Sequence, residues 1–133
     1  MRKIEHIGIA VKSLEASNLL FQKLFGHPPY KEEEVVSEGV KTSFFMNGPN
    51  KIELLEATNP ESPIAKFIDK KGEGIHHIAF DVLDIEEEII RLKNEGFLVL
   101  NEVPKKGADN KLVAFLHPKG TNDVLIELCQ EIK

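Results

Sequence analysis

Two histidines and two glutamates stand at repeated positions in this chain, and together they have the composition of a divalent-metal site. His6 lies in Ile4-Glu5-His6-Ile7-Gly8-Ile9-Ala10-Val11 and His77 in Ile75-His76-His77-Ile78-Ala79-Phe80-Asp81-Val82, 71 positions later. Glu53 lies in Lys51-Ile52-Glu53-Leu54-Leu55 and Glu127 in Leu125-Ile126-Glu127-Leu128-Cys129, 74 positions apart. A duplicated fold has a pseudo-twofold axis, and such an axis can bring matched side chains to one point. Two imidazoles and two carboxylates at one point make a mixed nitrogen and oxygen donor set for a divalent ion.

Each residue alone has a blander reading. A lone strand histidine is usually hydrogen-bonded, and a lone glutamate among apolar residues usually faces solvent from an edge strand. Four residues in matched positions weigh against that, because a buried carboxylate is costly unless it is paired or coordinates a metal. His76 neighbours His77 and points to the opposite sheet face, so His77 is the match of His6. His27, before Pro28-Pro29, reads as structural or solvated. His117 ends a strand, with a strand-end hydrogen bond or a pocket-lining role open to it. The acidic runs Glu32-Glu33-Glu34 and Glu86-Glu87-Glu88 read as solvated faces.

The elements that must position these residues also repeat. Residues 4–11 alternate with period two and read as a strand, with His6 on the lesser-packed face. Ser13 caps a helix to Phe25 that stops at Gly26, with Leu14, Leu20, Phe21, Leu24 and Phe25 as its apolar face. Strands are expected over 32–38, 41–47 and 50–56, with a turn at Asn47-Gly48-Pro49-Asn50. Ser62-Pro63 opens a short linking helix, with Gly72 beyond its end. The second half begins with strand 75–82. A capping-box helix follows from Asp84 and stops at Gly96, then strands over 97–103, 111–117 and 123–130. Helix caps repeat 71 positions apart and helix stops 70 apart. The expectation is an α+β domain over 1–133, built from two tandem βαβββ modules, 1–72 and 73–133.

At 133 residues the chain is long enough to bury a core. A formal charge of −5 gives no electrostatic footprint for nucleic acid. No apolar run reaches the roughly 18 residues of a membrane span, and no signal-peptide pattern opens the chain. A cytoplasmic protein is expected. The single cysteine, Cys129, leaves no internal disulfide. Lys105-Lys106-Gly107-Ala108-Asp109-Asn110-Lys111 is a basic loop that reads as solvated, or as a lip for an anionic ligand.

The quoted segments, with Glu61-Ser62-Pro63-Ile64-Ala65 and Phe115-Leu116-His117-Pro118-Lys119, resemble the vicinal oxygen chelate superfamily of glyoxalases, bleomycin-resistance proteins and extradiol dioxygenases. Within it they are most similar to the methylmalonyl-CoA epimerase family, over nearly the whole chain. That resemblance implies a curved mixed sheet around one metal ion held by His6, Glu53, His77 and Glu127. It also implies an acyl-CoA substrate and a homodimer. Co²⁺, Mn²⁺, Ni²⁺ or Zn²⁺ all suit such ligands. Certain bacterial epimerases carry a further glutamate, proposed as a base, where this chain has Thr42. Glu53 and Glu127 are therefore expected to carry the proton transfers. Lys105, Lys106 and Lys119 are candidates for phosphate contacts, against a solvated reading. The rival readings are a glyoxalase acting on a glutathione hemithioacetal, a two-histidine, one-carboxylate dioxygenase, and a metal-free binder.

Overall fold

Local signals set the helices. Ser13 sits in extended backbone and its side chain accepts from the Ala16 N–H, starting α1 (Leu14–Phe25); Gly26 ends it in the left-handed region at φ 85°. The Leu14 N–H also donates to Glu56 Oε1 at 2.6 Å, tying the helix start to a strand. Ser62 caps α2 (Pro63–Lys71) by accepting from Ile64 N–H, with Pro63 in its first turn where no N–H is needed. Asp84 caps α3 (Ile85–Asn94) by accepting from Glu87 N–H.

The computed structural model describes all 133 residues. Its strands are β1 (Lys3–Ala10), β2 (Lys31–Val35), β3 (Val40–Asn47), β4 (Asn50–Ala57), β5 (Gly74–Asp81), β6 (Lys105–Lys106), β7 (Lys111–Leu116) and β8 (Ile126–Glu131). They share one mixed eight-stranded sheet in the order β2-β3-β4-β1-β5-β8-β7-β6. Strand, helix and three strands occur twice, but the first strand after α3 is the two-residue β6 and not the expected 97–103. No helix is long and apolar enough to cross a membrane.

The chain divides into two compact units, His6–His76 and Met1–Glu5 with His77–Lys133. In the first, β1 runs parallel to β4 with Gly8 opposite Glu53, and β4 runs antiparallel to β3 with Glu53 opposite Phe44. One face of this sheet packs Val11, Leu14, Phe45 and Leu54 with Phe21 and Phe25 of α1. Ala10, Val40 and Leu55 pack against Ile64 of α2, with Phe67 and Ile68 beside them. The second unit repeats the pairing: Ala79 of β5 lies opposite Glu127 of the parallel β8, and Glu127 lies opposite Phe115 of the antiparallel β7. Its main core joins Ile85, Ile89 and Leu92 of α3 to Val82, Ala114, Leu116 and Leu128.

Four expectations are corrected. His6, Gly8 and Ala10 form the better-buried face of β1, while Ile7 and Ile9 are only half-buried. Small residues there admit close packing, so size alone misjudges the face. In α1, Leu20 and Leu24 are exposed, because only Leu14, Phe21 and Phe25 recur at the spacing of seven and four that keeps one face. Residues 97–103 do not form a strand; Val99 makes an isolated bridge with Leu116. Backbone bonds run from Leu100 N–H to Phe115 C=O and from His117 N–H to Leu98 C=O. The next rungs come from Asn101, whose Oδ1 accepts from Phe115 N–H and whose Nδ2 donates to Val113 C=O. Pro104 then has no N–H to offer. Finally, β8 starts at Ile126 rather than 123, since Asn122 and Asp123 take left-handed backbone at φ 53° and 69°.

Candidate active site

In a strand, residues two apart leave the same face, and residues opposite one another across a pair share a face. Gly8 opposite Glu53 therefore puts His6, two residues earlier, on the glutamate's face. The structure shows the result: His6 Nε2 stands 3.2 Å from Glu53 Oε1, with both side chains buried. Ala79 opposite Glu127 places His77 in the same way, and His77 Nε2 stands 3.4 Å from Glu127 Oε1, again with both buried. Each unit thus holds one interior histidine–glutamate pair at one register. The edge-strand solvent reading of Glu53 and Glu127 is excluded by this burial. His6, His77 and Glu127 are among the buried side chains able to hold a metal ion.

A third matched residue escaped the sequence reading. Phe44, opposite Glu53, meets the His6 ring edge-on with centroids 6.4 Å apart and planes at 86°. Phe115, opposite Glu127, meets the His77 ring at 6.2 Å and 89°. Their separation of 71 positions is the histidine offset, which is the signal that could have found them. These rings fix the imidazole planes and keep water from one side of each pair.

The other candidates lie outside these pairs. His76 packs edge-on against Phe67 of α2 at 4.9 Å, as a half-buried structural residue. The His27 ring stacks on Phe25 at 6.1 Å, and His117 Nδ1 accepts from the Lys119 N–H. Lys105, Lys106 and Lys119 are exposed. Cys129 is buried, and burial, with Glu127 and Glu5 nearby, pushes its thiol far above the usual thiol range. It is no nucleophile. Thr42 is 1% exposed, and its Oγ1 has no hydrogen-bond partner. Lys51 is buried beside Phe44, with Nζ 5.7 Å from the ring centroid.

Residues 5–115 match the Glyoxalase/Bleomycin resistance protein/Dioxygenase superfamily. The chain belongs to that superfamily. It is 42% identical to the ethylmalonyl-CoA/methylmalonyl-CoA epimerase of Cereibacter sphaeroides, over 96% of this chain and 97% of that one. Among solved structures, it matches a hypothetical protein of Bacillus halodurans at 45% identity and TM-score 0.94, covering 98% of this chain and 95% of the other. It matches Streptomyces coelicolor methylmalonyl-CoA epimerase in complex with 2-nitronate-propionyl-CoA at 31% identity and TM-score 0.95, covering 100% and 99%. The chain therefore has the superfamily fold along its whole length and resembles epimerases of acyl-CoA thioesters.

The donors fit a divalent ion: buried imidazole nitrogens and a carboxylate, as His6, His77 and Glu127 offer, are the mixed ligands that borderline cations accept.

Proposed function

We propose that the protein is a metal-dependent epimerase that interconverts (2S)- and (2R)-methylmalonyl-CoA. The observation that carries this reading is the pair of interior histidine–glutamate couples, one per unit, in a chain similar end to end to methylmalonyl-CoA epimerases. The proposed ligands are His6, Glu53, His77 and Glu127, around one ion. One shared centre for the two pairs is part of the same proposal.

The substrate has one acidic C–H between a thioester and a carboxylate. A bound divalent ion supplies Lewis-acid stabilisation for the negative charge that develops when that proton leaves. The protein's own task is to move the proton. Glu53 and Glu127, carried by different modules, are the proposed bases: one carboxylate takes the α-proton from one face, and the other returns a proton to the opposite face. The α-carbon passes through a planar enolate, and no net proton is gained or lost. Phe44 and Phe115 hold the imidazoles in plane, so the carboxylates keep their positions as their hydrogen bonds change. A homodimer is part of the same proposal. Leu19, Leu20 and Leu24 leave apolar area uncovered on α1, and light scattering would give the state.

The test is deuterium wash-in to (2S)-methylmalonyl-CoA in heavy water, using Co²⁺-loaded protein and a chelator-treated control. Rapid, metal-dependent exchange at the α-carbon with appearance of the 2R epimer supports the assignment. Exchange at the control rate overturns it, and the glutathione hemithioacetal becomes the substrate to try.

A further inference from the structure

His117 follows β7 by one residue, and its backbone N–H donates to Leu98 C=O, so the extended pairing runs on through it. Side chains alternate along such a segment, which puts His117 on the face of Phe115, two residues earlier. Phe115 lies opposite Glu127 and meets the His77 ring. The strand registers place Leu125 next to both histidines. Leu116 pairs with Ile126, so His117 comes opposite Leu125. Ile78 pairs with Ile126, and its N–H donates to Leu125 C=O, so His77 also comes opposite Leu125. His117 therefore shares a row with Leu125 and His77, two strand spacings of about 4.8 Å from His77. It stands one rung along the same face from Glu127.

The Lys119 N–H donates to His117 Nδ1 at 3.1 Å. A backbone N–H can only donate, so Nδ1 is the acceptor and the neutral ring carries its proton on Nε2. This contact caps the short turn Pro118–Gly120. A cap needs one short acceptor, and serine, aspartate or asparagine supplies it more readily than histidine. The imidazole adds a second nitrogen, fixed as a donor on a half-buried side chain. The first module does not repeat this choice. Met46, 71 positions earlier, is two residues beyond Phe44 as His117 is two beyond Phe115. A thioether has no proton to donate.

We propose that the His117 Nε2–H hydrogen-bonds the thioester oxygen of the substrate and stabilises the charge that gathers there as the α-proton leaves. The inference rests on the epimerase reading. No proton leaves the ring. The α-proton passes to a carboxylate, the electron pair left behind spreads onto the thioester oxygen, and the Nε2–H holds that oxygen. A permanent anion such as the free carboxylate is best met by a cation. A neutral N–H suits an oxygen that is uncharged at the start, since the hydrogen bond strengthens as charge develops and so favours the transition state over the bound substrate.

The experiment compares two substitutions in Co²⁺-loaded protein, following α-proton exchange and urea unfolding. In His117→Asn, the new Oδ1 takes the place of Nδ1 as cap and the Nε2–H is lost. This protein should keep the wild-type urea midpoint and lose about tenfold to a hundredfold in kcat, with KM nearly unchanged. Propionyl-CoA, which carries the thioester without the carboxylate, should bind it and wild type alike by isothermal titration. His117→Gln sets an N–H near the position of Nε2 and loses the cap, so it should unfold at lower urea yet recover part of kcat. Wild-type exchange in His117→Asn, or a loss confined to KM, overturns the proposal and leaves His117 a turn cap or a binding residue. Should His117→Asn unfold well below wild type, His117→Gln decides, and exchange no faster than in His117→Ala overturns the proposal. Wild type without metal-dependent exchange removes the epimerase reading itself, and this inference with it.

Discussion

At the scale of the residue, the chemistry is concentrated in carboxylates held 3.2 and 3.4 Å from imidazoles in the interior. An acid–base role and a purely ligating role make different demands on Glu127. Changing it to Gln keeps an oxygen donor and the side-chain volume but removes the proton acceptor. Glu127→Gln is therefore expected to retain Co²⁺ by elemental analysis while α-proton exchange falls by about 10²–10⁴, the usual contribution of a positioned base. Normal exchange in a metal-replete variant would show that the proton moves elsewhere. The histidines and glutamates were legible because type and spacing repeat. The ring pair Phe44 and Phe115 was not, since a phenylalanine in an apolar strand looks like core until cross-strand register shows what it touches.

At the scale of the element, capping signals were read correctly because they act over three or four residues. Ser62 illustrates the energetic content: it is buried, and its Oγ accepts from Ile64 N–H at 3.1 Å. Ser62→Ala should cost about 0.5–2 kcal/mol of stability, seen as a lower urea midpoint with unchanged slope. Helix α3 has an electrostatic anchor at its start. Glu88 receives the Met1 ammonium at 2.9 Å and pairs with Arg91. Partial burial raises its pKa, but the hydrogen bonds and charges of Arg91 and the N-terminus outweigh this and hold it below the ordinary 4.5. A lowered folded pKa gives stability that is present above the unfolded value and fades as pH falls through the folded one. Glu88→Gln should then melt lower than wild type at pH 7, by about 0.2–1 kcal/mol for such pairs. The gap should narrow as pH falls below the ordinary carboxylate range and through the lowered folded pKa; a gap unchanged at low pH would assign the loss to packing.

For the whole molecule, the proposed ion, with ligands far apart in sequence, would tie metal affinity to folding. Saturating Co²⁺ at about a hundredfold above its dissociation constant should raise stability by about 2.7 kcal/mol. The gain should disappear on chelation and be absent from His6→Ala and His77→Ala alike. A variant of either histidine that keeps the full metal-induced rise in melting temperature would argue against a shared centre. The apolar residues left exposed on α1, Leu20 and Leu24, belong to this scale as well. Periodicity assigned them to the core because they fall among other apolar positions, and only the packed sheet shows which stripe of the helix it covers.

The sequence by itself determined the donor types, the offset that pairs them, the helix caps and the twofold repetition of strand, helix and three strands. These depend on residue identity and on interactions within a few positions. The tertiary structure alone decided that Glu53 and Glu127 lie inside rather than at an edge, and that Asn101 replaces a strand's backbone rungs with its side chain. It alone also showed that Lys51 and Thr42 are buried on one module's face. Burial and register are set by which distant strands pair, and the free energy of that pairing is spread over the whole sheet, so no local window of sequence carries it.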